Sequence, residues 1–293
     1  MGRRLTTLLP LLLAAILAWP PLVSGWGGWE HEVTGHIALS CISPEVRARI
    51  RELVGPDAEV GEICIWADRI KRQRRHTARW HYINYPLERE RPDYDPRTRP
   101  ISNILAALED QCAVLADSGE KKKDRADAVK FIAHFTGDLH QPLHCARGED
   151  RGGNTIEVLF AGEKTNFHAV WDTRLTPRRE LSPRRAALLI WSASSPSERQ
   201  ELSTGTIEDW MAESHILARD FAYPLLARAQ AAAGENQIPE LDGAYSLAAG
   251  PVVEKQLLKA GIRLGVLLER ALAPSRPEEQ PRQESTNFAN FSN

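Results

Sequence analysis

The chain is 293 residues long, has a formal net charge of −2 and is 42% hydrophobic. This length and apolar content suffice for one large domain, and the weak acidity argues against passive electrostatic binding of a polyanion. Nothing in the sequence resembles a basic nucleic-acid patch, although a bound metal cluster could reverse this argument locally.

The first 25 residues have the pattern of a targeting segment. Arg3 and Arg4 are followed by an apolar run from Leu8 to Leu17 and then by small residues ending at Gly25. This pattern is typical of a signal peptide, and no stretch reaches the roughly 20 apolar residues of a membrane helix. We therefore expect residues 1–25 to be removed, leaving a soluble monomer, secreted or periplasmic, that does not insert into membranes.

Most of the remaining chain has the periodicity of helices. Apolar residues recur at three- and four-residue steps, and the segments with this pattern are Pro44–Val54, Val60–Lys71, Ile101–Leu115, Ala126–Leu139, Thr206–Leu217 and Val252–Leu272. In Asn154–Asn166, by contrast, apolar and polar residues alternate around a short turn. The sequence predicts an all-α domain over residues 26–273 with one small β-hairpin.

Two segments are predicted to lie outside the regular structure. Tyr85–Pro100 is rich in prolines and charges and lies between helical patterns, which indicates a long loop. Residues 274–293 are rich in Pro, Glu, Gln, Ser and Asn, so they are predicted to form a disordered tail.

The cysteines leave their pairing open. They are Cys41, Cys64, Cys112 and Cys145, without CxxC spacing, and in an oxidising compartment they could form one or two disulfides. Cys64 and Cys145 lie close in sequence to Asp68 and His144, and a core or disulfide role is expected for them in preference to metal binding.

One central helix carries polar groups that are costly to bury. Phe131–Leu139 is apolar on every side, yet His134 and Asp138 stand four residues apart and so share one face. A buried carboxylate must be paired, hydrogen-bonded or bound to a metal. For this pair alone, a His–Asp hydrogen bond in the core explains the pattern as well as a metal does.

Further residues favour a metal site over a simple His–Asp hydrogen bond. His144 follows after Pro142, and His168 and Asp172 repeat the four-residue spacing among apolar neighbours. Near the mature start and upstream of His134, the chain adds His31, Asp68 and His81. Five histidines and three aspartates are too many for one tetrahedral site but suffice for a zinc cluster with a bridging carboxylate, which would suit phosphate-ester hydrolysis. The remaining histidines are expected to be structural: His36, His76, His140 and His215.

This constellation resembles the zinc-dependent single-strand-specific nucleases of fungi and plants, the S-one/P-one type, which share a mainly helical fold with bacterial zinc phospholipase C. The resemblance spans nearly all of residues 26–270. It rests on W-x4-H at the predicted mature start, W-A-D, W-H-Y-I, H-F-T-G-D-L-H-Q-P-L-H, G-G-N before the hairpin, and H-x3-D.

The resemblance implies three zinc ions per chain. The implied ligands of the first are Asp68, His81, His134 and Asp138, and Asp138 would bridge to the second. The second would also be bound by His31 and by Trp26, through its free α-amine and its carbonyl. The implied ligands of the third are His144, His168 and Asp172.

The resemblance also implies the reaction and its substrates. It is hydrolysis of single-stranded DNA or RNA to 5′-phosphate products, with 3′-nucleotidase activity on 3′-nucleotides. The implied catalytic residues are Asp68, Asp138 and Lys71. Lys71 would neutralise transition-state charge; the alternative is an ordinary solvated lysine.

Substrate contacts are implied for a further set of residues. Tyr82 matches the residue on which a base stacks, but could equally be a core aromatic. The base-edge contacts match Gly152, Gly153 and Asn154. Asn84 stands where fungal members carry an aspartate, which predicts an altered base preference with catalysis retained.

Two alternatives stay open. A phospholipase C-like zinc phosphodiesterase would use similar chemistry, but it has a glutamate where this chain has Asp172, and no hairpin between His144 and His168. A secreted protein that keeps zinc for stability alone is disfavoured because structural zinc sites are usually thiolate-rich.

Overall fold

The computed structural model describes residues 26–89, 102–241 and 243–273. These ranges contain eleven α-helices and a three-stranded sheet, so the predicted mainly helical class is confirmed. The predicted signal peptide and C-terminal tail lie outside the described residues, as does most of the predicted loop at 85–100, and these remain predictions.

The helices follow one another along the chain, with longer connections only between α3 and α4 and between α5 and α6. They are α1 Gly28–Leu39, α2 Pro44–Val54, α3 Val60–Ile70, α4 Ile104–Ala116, α5 Lys122–Leu139, α6 Phe167–Thr173, α7 Pro183–Ala193, α8 Pro196–Leu202, α9 Ile207–Leu217, α10 Tyr223–Ala233 and α11 Gly243–Leu272. Two 3-10 helices span Arg75–His81 and Pro142–Cys145, and a π-helical turn, Ala218–Ala222, joins α9 to α10.

The small sheet contains the predicted hairpin and one more strand. Strand β1, Glu157–Phe160, pairs antiparallel with β2, Glu163–Asn166. Strand β3, Glu240–Leu241, lies parallel to the other edge of β1. The hairpin is confirmed, and the prediction of a hairpin alone was incomplete because a two-residue strand leaves no periodicity in the sequence.

Helix α1 lies at the centre of the fold, packed against α3, α7 and α11. Its close contact with α11 depends on Gly261, where a Cβ would lie 2.4 Å from the side chain of Ile37. Apolar side chains on its two sides belong to separate buried clusters, with Ile37 in one and Ala38 in the other. Within the described ranges, none of the helices combines the length and apolarity needed to cross a bilayer.

Candidate metal centre

Four elements bring polar side chains to one buried place. Helix α5 contributes His134 and Asp138 from its fully buried last turns. The other contributors are α1 with His31, α3 with Asp68, and the first 3-10 helix with His81. The ligand atoms form two groups, each within 4.8 Å, that share His134: His31, His134 and Asp138, and Asp68, His81 and His134.

Asp138 lies between these groups. Its Oδ2 is 2.9 Å from Nδ1 of His81 and 3.1 Å from Nε2 of His134. Its Oδ1 is 3.3 Å from Nε2 of His31. Because the two oxygens of this carboxylate face different imidazoles, Asp138 has the geometry of a bridging ligand.

Backbone carbonyls fix the orientation of the histidine rings. The Nδ1 atom of His134 lies 2.7 Å from the carbonyl oxygen of Cys64, and that of His144 lies 2.8 Å from the carbonyl oxygen of His81. A carbonyl can only accept, so each Nδ1 donates, and in the neutral ring each Nε2 then has its lone pair. Such second hydrogen bonds hold metal-ligating imidazoles in one tautomer.

Unpartnered atoms at His31 show that the donor set fits a metal ion. Both ring nitrogens of His31 and the Oδ1 atom of Asp138 are buried and make no hydrogen bond within the described structure. The 3.3 Å approach between the two side chains is close but not aligned as a hydrogen bond. Leaving such groups unsatisfied is costly, and a cation between Nε2 of His31 and Oδ1 of Asp138 would satisfy these two atoms.

Gly137 provides the space for His31. A Cβ at this position of α5 would lie 2.6 Å from Nδ1 of His31. The sequence reasoning did not single out Gly137, although it stands inside the H-F-T-G-D segment between two of the proposed ligands. Only a residue without a side chain lets α1 and α5 approach this closely.

A third group lies beside the first two. The Nε2 atom of His168 is 3.3 Å from Oδ2 of Asp172, and that of His144 is 3.9 Å from Oδ1. The two imidazole rings stack with centroids 5.1 Å apart. All three side chains are buried, and the Nδ1 atom of His168 donates to the carbonyl of Gly152 at 2.6 Å.

Gln141 is a further site residue that the sequence reasoning missed. Its Nε2 donates to Oδ1 of Asp172 at 2.6 Å, and its Oε1 accepts from the backbone amide of Leu143 at 2.6 Å. The signal was its position in the H-Q-P-L-H run, where a buried amide needs partners. Gln141 orients the carboxylate that the third group depends on.

The first two groups attract positive charge. Burial alone would raise the pKa of Asp68, yet His134 and Lys71 lower it to about 2. Burial alone would lower the pKa of His134, yet Asp138 and Asp68 raise it to about 9. These two groups therefore favour an added positive charge, carried either by a proton on His134 or by a metal ion.

The third group offers neutral imidazoles. Burial lowers the pKa of His144 to about 3 and that of His168 to about 4, so both rings keep a lone pair for a cation. Burial raises the pKa of Asp172 well above its usual range, and a bound cation would favour the ionised carboxylate. Donor sets of nitrogen and oxygen without thiolate suit zinc among other divalent ions.

Trp26 lies beside the ligands of two groups. Its side chain is fully buried. The next residue, Gly27, donates its amide to the carbonyl of Asp172 at 3.0 Å and accepts from the amide of His31 at 3.2 Å. The start of the described chain is thereby held between α1 and α6.

The proposed substrate residues lie at the surface of this centre. Lys71 reaches inward, with Nζ 2.9 Å from Oδ1 of Asp68. Tyr82 is 39% exposed, so it is not a core aromatic. Asn84 is exposed on the same segment, two residues after Tyr82 and therefore on the same side of an extended chain.

Gly152 and Gly153 form a tight loop beside the third group. Their φ angles are +62° and +83°, in the region that favours glycine. A Cβ at Gly152 would lie 2.4 Å from the carbonyl oxygen of Leu143. Asn154 follows, partly buried, with its Nδ2 donating to the carbonyl of Arg151 at 2.8 Å.

The remaining histidines lie outside these groups. The Nδ1 atoms of His140 and His215 contact backbone carbonyls at 2.7 and 2.9 Å. His36 lies 3.5 Å from a carboxylate oxygen of Glu32, and the ring of His76 contacts that of Trp80 edge-on.

All four cysteines are free, so neither of the possible disulfides is formed, and the buried Cys64 and Cys145 have a place in the core. They lie in different helix contacts: a Cβ on Gly265 of α11 would meet Cys41, and one on Gly35 of α1 would meet Cys64.

Several known proteins are similar to this sequence. A family model described as S1/P1 Nuclease matches residues 26–273. Endonuclease 2 of Arabidopsis thaliana is 27% identical over 290 residues, covering 89% of this chain and 97% of that protein. Nuclease S1 of Aspergillus oryzae is 29% identical over 288 residues, covering 92% and 99% respectively. Nuclease P1 of Penicillium citrinum is 29% identical over 155 residues, covering 50% and 57%.

Proposed function

This chain belongs to the S1/P1 nuclease family, and from that premise we propose that it is a secreted, zinc-dependent endonuclease. Its substrates are single-stranded DNA and RNA, which it cleaves to 5′-phosphate products, and it also removes phosphate from 3′-nucleotides. The observation that carries the proposal is the convergence of three buried His/Asp groups. The donor atoms of this centre would hold three zinc ions.

When bound, zinc would activate water for attack on phosphorus and stabilise the departing oxygen. The protein's own contribution is to hold the donors in place. Asp138 presents one oxygen to each of the first two groups, and Gln141 fixes the carboxylate of Asp172. Because these side chains are already oriented, little reorganisation is required when a phosphate binds.

Other residues of the chain would bind the substrate. Lys71 lies one hydrogen bond from Asp68, so its ammonium group can offset charge on the phosphate. Tyr82 presents an exposed ring on which an unpaired base can stack. The loop of Gly152 and Gly153, with Asn154, offers backbone and amide groups to the edge of that base. A paired base would not be free to make these contacts.

The experiment that tests this function compares substrates with and without metal. The chain beginning at Trp26 is incubated with single-stranded DNA, RNA, a 3′-nucleotide and phosphatidylcholine, each with and without a chelator. We expect cleavage of the first three, loss of cleavage with chelator, and recovery on adding zinc. Hydrolysis of phosphatidylcholine alone would identify a phospholipase, and bound zinc without any hydrolysis would identify a structural metal protein.

A further inference from the structure

A basic segment separates two of the proposed ligands. Residues 71–79 contain no acidic residue and five basic ones: Lys71, Arg72, Arg74, Arg75 and Arg79. Asp68 precedes this segment and His81 follows it. We propose that its exposed arginines bind the phosphates of a single strand beyond the scissile bond, so that they select polynucleotides over mononucleotides. This inference rests on the proposed function.

Internal contacts fix the segment to the body of the protein. At its start, Lys71 pairs with Asp68 at 2.9 Å. In its middle, Arg74 pairs with Asp127 of α5 at 2.8 Å, and the fully buried Thr77 donates its hydroxyl to the carbonyl of Arg74 at 2.8 Å. The backbone therefore holds its arginines at a set place relative to the metal centre.

Three arginines of the segment are left for a ligand. Arg72, Arg75 and Arg79 are exposed, and the described residues provide no carboxylate that pairs with any of them. Asp127 of α5, which contacts the segment through Arg74, is already neutralised by Arg74 and by Lys130. Unpaired guanidinium groups bind phosphate through two parallel hydrogen bonds.

The 3-10 helix relates these arginines to the site. Residues three apart in such a helix share one edge, so Arg75 stands on the edge that carries His81, about 12 Å away along the axis. Arg79 lies on the neighbouring edge, within one turn of His81. A strand longer than a mononucleotide, bound at the candidate metal centre, can extend along this edge toward Arg75.

The test is the salt dependence of cleavage by the zinc-loaded enzyme. The variant R72Q/R75Q/R79Q is compared with wild type and with R184Q/R185Q/R270Q, a control that removes three exposed arginines from α7 and α11, which carry no proposed ligand. The substrates are a 20-nucleotide oligothymidylate and a 3′-mononucleotide, at 50 to 200 mM salt. Zinc content and Tm are measured for each protein.

We expect the slope of log kcat/KM against log salt for the oligonucleotide to become shallower by about 2 in the test variant, since each phosphate contact on a single strand contributes about 0.7. Raising the salt from 50 to 200 mM should therefore lower kcat/KM about 16-fold less in the test variant than in wild type. The test variant should hydrolyse the mononucleotide at the wild-type rate. The control variant should match wild type on both substrates. The single variant R75Q should show about one-third of the slope change.

The inference is overturned by an unchanged slope in both Arg72/Arg75/Arg79 variants, by an equal change in the control, or by an equal change with the mononucleotide. These results leave wild-type cleavage intact and are therefore distinct from failure of the proposed function. If the proposed function itself failed, the wild-type protein would cleave neither the oligonucleotide nor the mononucleotide.

Discussion

Asn84 is the proposed substrate-binding residue at which this chain differs from the fungal nucleases that it resembles, which carry an aspartate there. The amides of Ile83 and Tyr85 on either side donate to backbone carbonyls of His144 and Ala146 at 2.8 and 2.9 Å. The Asn84 side chain is exposed and lies against Gly148. The backbone is thus fixed beside the candidate metal centre, and the side chain is exposed where a base could contact it.

Replacing Asn84 by aspartate should change base preference and leave catalysis in place. An amide both donates and accepts, whereas a carboxylate only accepts, and one hydrogen bond of about 1 kcal/mol changes kcat/KM about fivefold. We expect the ranking of four homopolymeric oligonucleotides to change by about that factor. Equal rates and the same ranking in wild type and Asn84→Asp would show that Asn84 does not read the base.

Trp26 should act as a ligand only when it begins the chain. Adding one residue before it removes the free α-amine, so we expect the pair of zinc ions bridged by Asp138 to bind less tightly and activity to fall. The control carries the same residue after Asn293. Zinc content is measured after dialysis, together with the cleavage rate. If the N-terminally extended chain keeps the metal and rate of the control, Trp26 is not a ligand.

At the scale of single residues, sequence reasoning could identify the groups that are expensive to bury. His134, Asp138 and Asp172 stood out because an apolar surrounding makes a polar side chain conspicuous. Gly137 and Gln141 did not, since their roles depend on which other chain segment lies opposite. Nothing local in the sequence says that His31 packs against Gly137.

Among the helices, local signals set the boundaries that could be predicted. Helix α2 has its predicted bounds because Ser43 caps its start and Gly55, with φ +105°, ends it. Helix α11 begins earlier than the predicted Val252, at Gly243, because it continues through Pro251, a residue type that usually ends or kinks a helix. Helix α1 was not predicted, since its buried side includes the polar residues Glu30, His31 and Thr34 and therefore shows no apolar stripe in the sequence.

The contact between α1 and α5 gives a test at the element scale. In Gly137→Ala the new methyl group would displace His31, so we expect lower zinc content and a loss of about 1–3 kcal/mol in the free energy of unfolding. The matched control is Gly243→Ala, where a Cβ meets nothing within 4 Å. That change should leave zinc content unchanged and be neutral or stabilising by up to about 1 kcal/mol. Full zinc binding and unchanged stability in Gly137→Ala would contradict the close contact.

Helices α9 and α11 are joined by an ion pair that should respond to pH. Glu213 accepts from Arg263 and from Lys259, each at 2.8 Å. Burial alone would raise the pKa of Glu213, but these two cations lower it from 4.5 to about 2. Because the folded pKa lies below the unfolded one, the carboxylate stabilises the fold above about pH 4.5, and this contribution is lost as the pH falls toward 2.

Glu213→Gln should therefore be less stable than wild type at pH 7, and the difference should shrink between pH 4.5 and 3. The side chain is 39% exposed, so solvent screening limits the expected effect to about 1 kcal/mol. Denaturant unfolding at each pH measures it, with Glu208→Gln on the same helix as the control. A difference that does not vary with pH would mean that the ion pair contributes nothing.

At the scale of the whole molecule, net charge was a poor guide to local surface. A formal charge of −2 led us to expect no basic surface, yet residues 71–79 concentrate five positive charges between two proposed ligands. Total charge averages over segments that the fold separates. The candidate metal centre likewise cannot be seen in any one stretch of sequence. Its donors come from positions 31 to 172 and meet only when the helices pack.

The number of zinc ions in the active protein tests this account most directly. Native mass spectrometry of the chain beginning at Trp26, paired with cleavage of single-stranded DNA on the same sample, should show three zinc ions per molecule. Activity should disappear when a chelator removes them and return when zinc is restored. Full cleavage by a metal-free sample, or by one that never holds more than one zinc ion, would contradict the assignment of these His/Asp groups as a three-zinc centre.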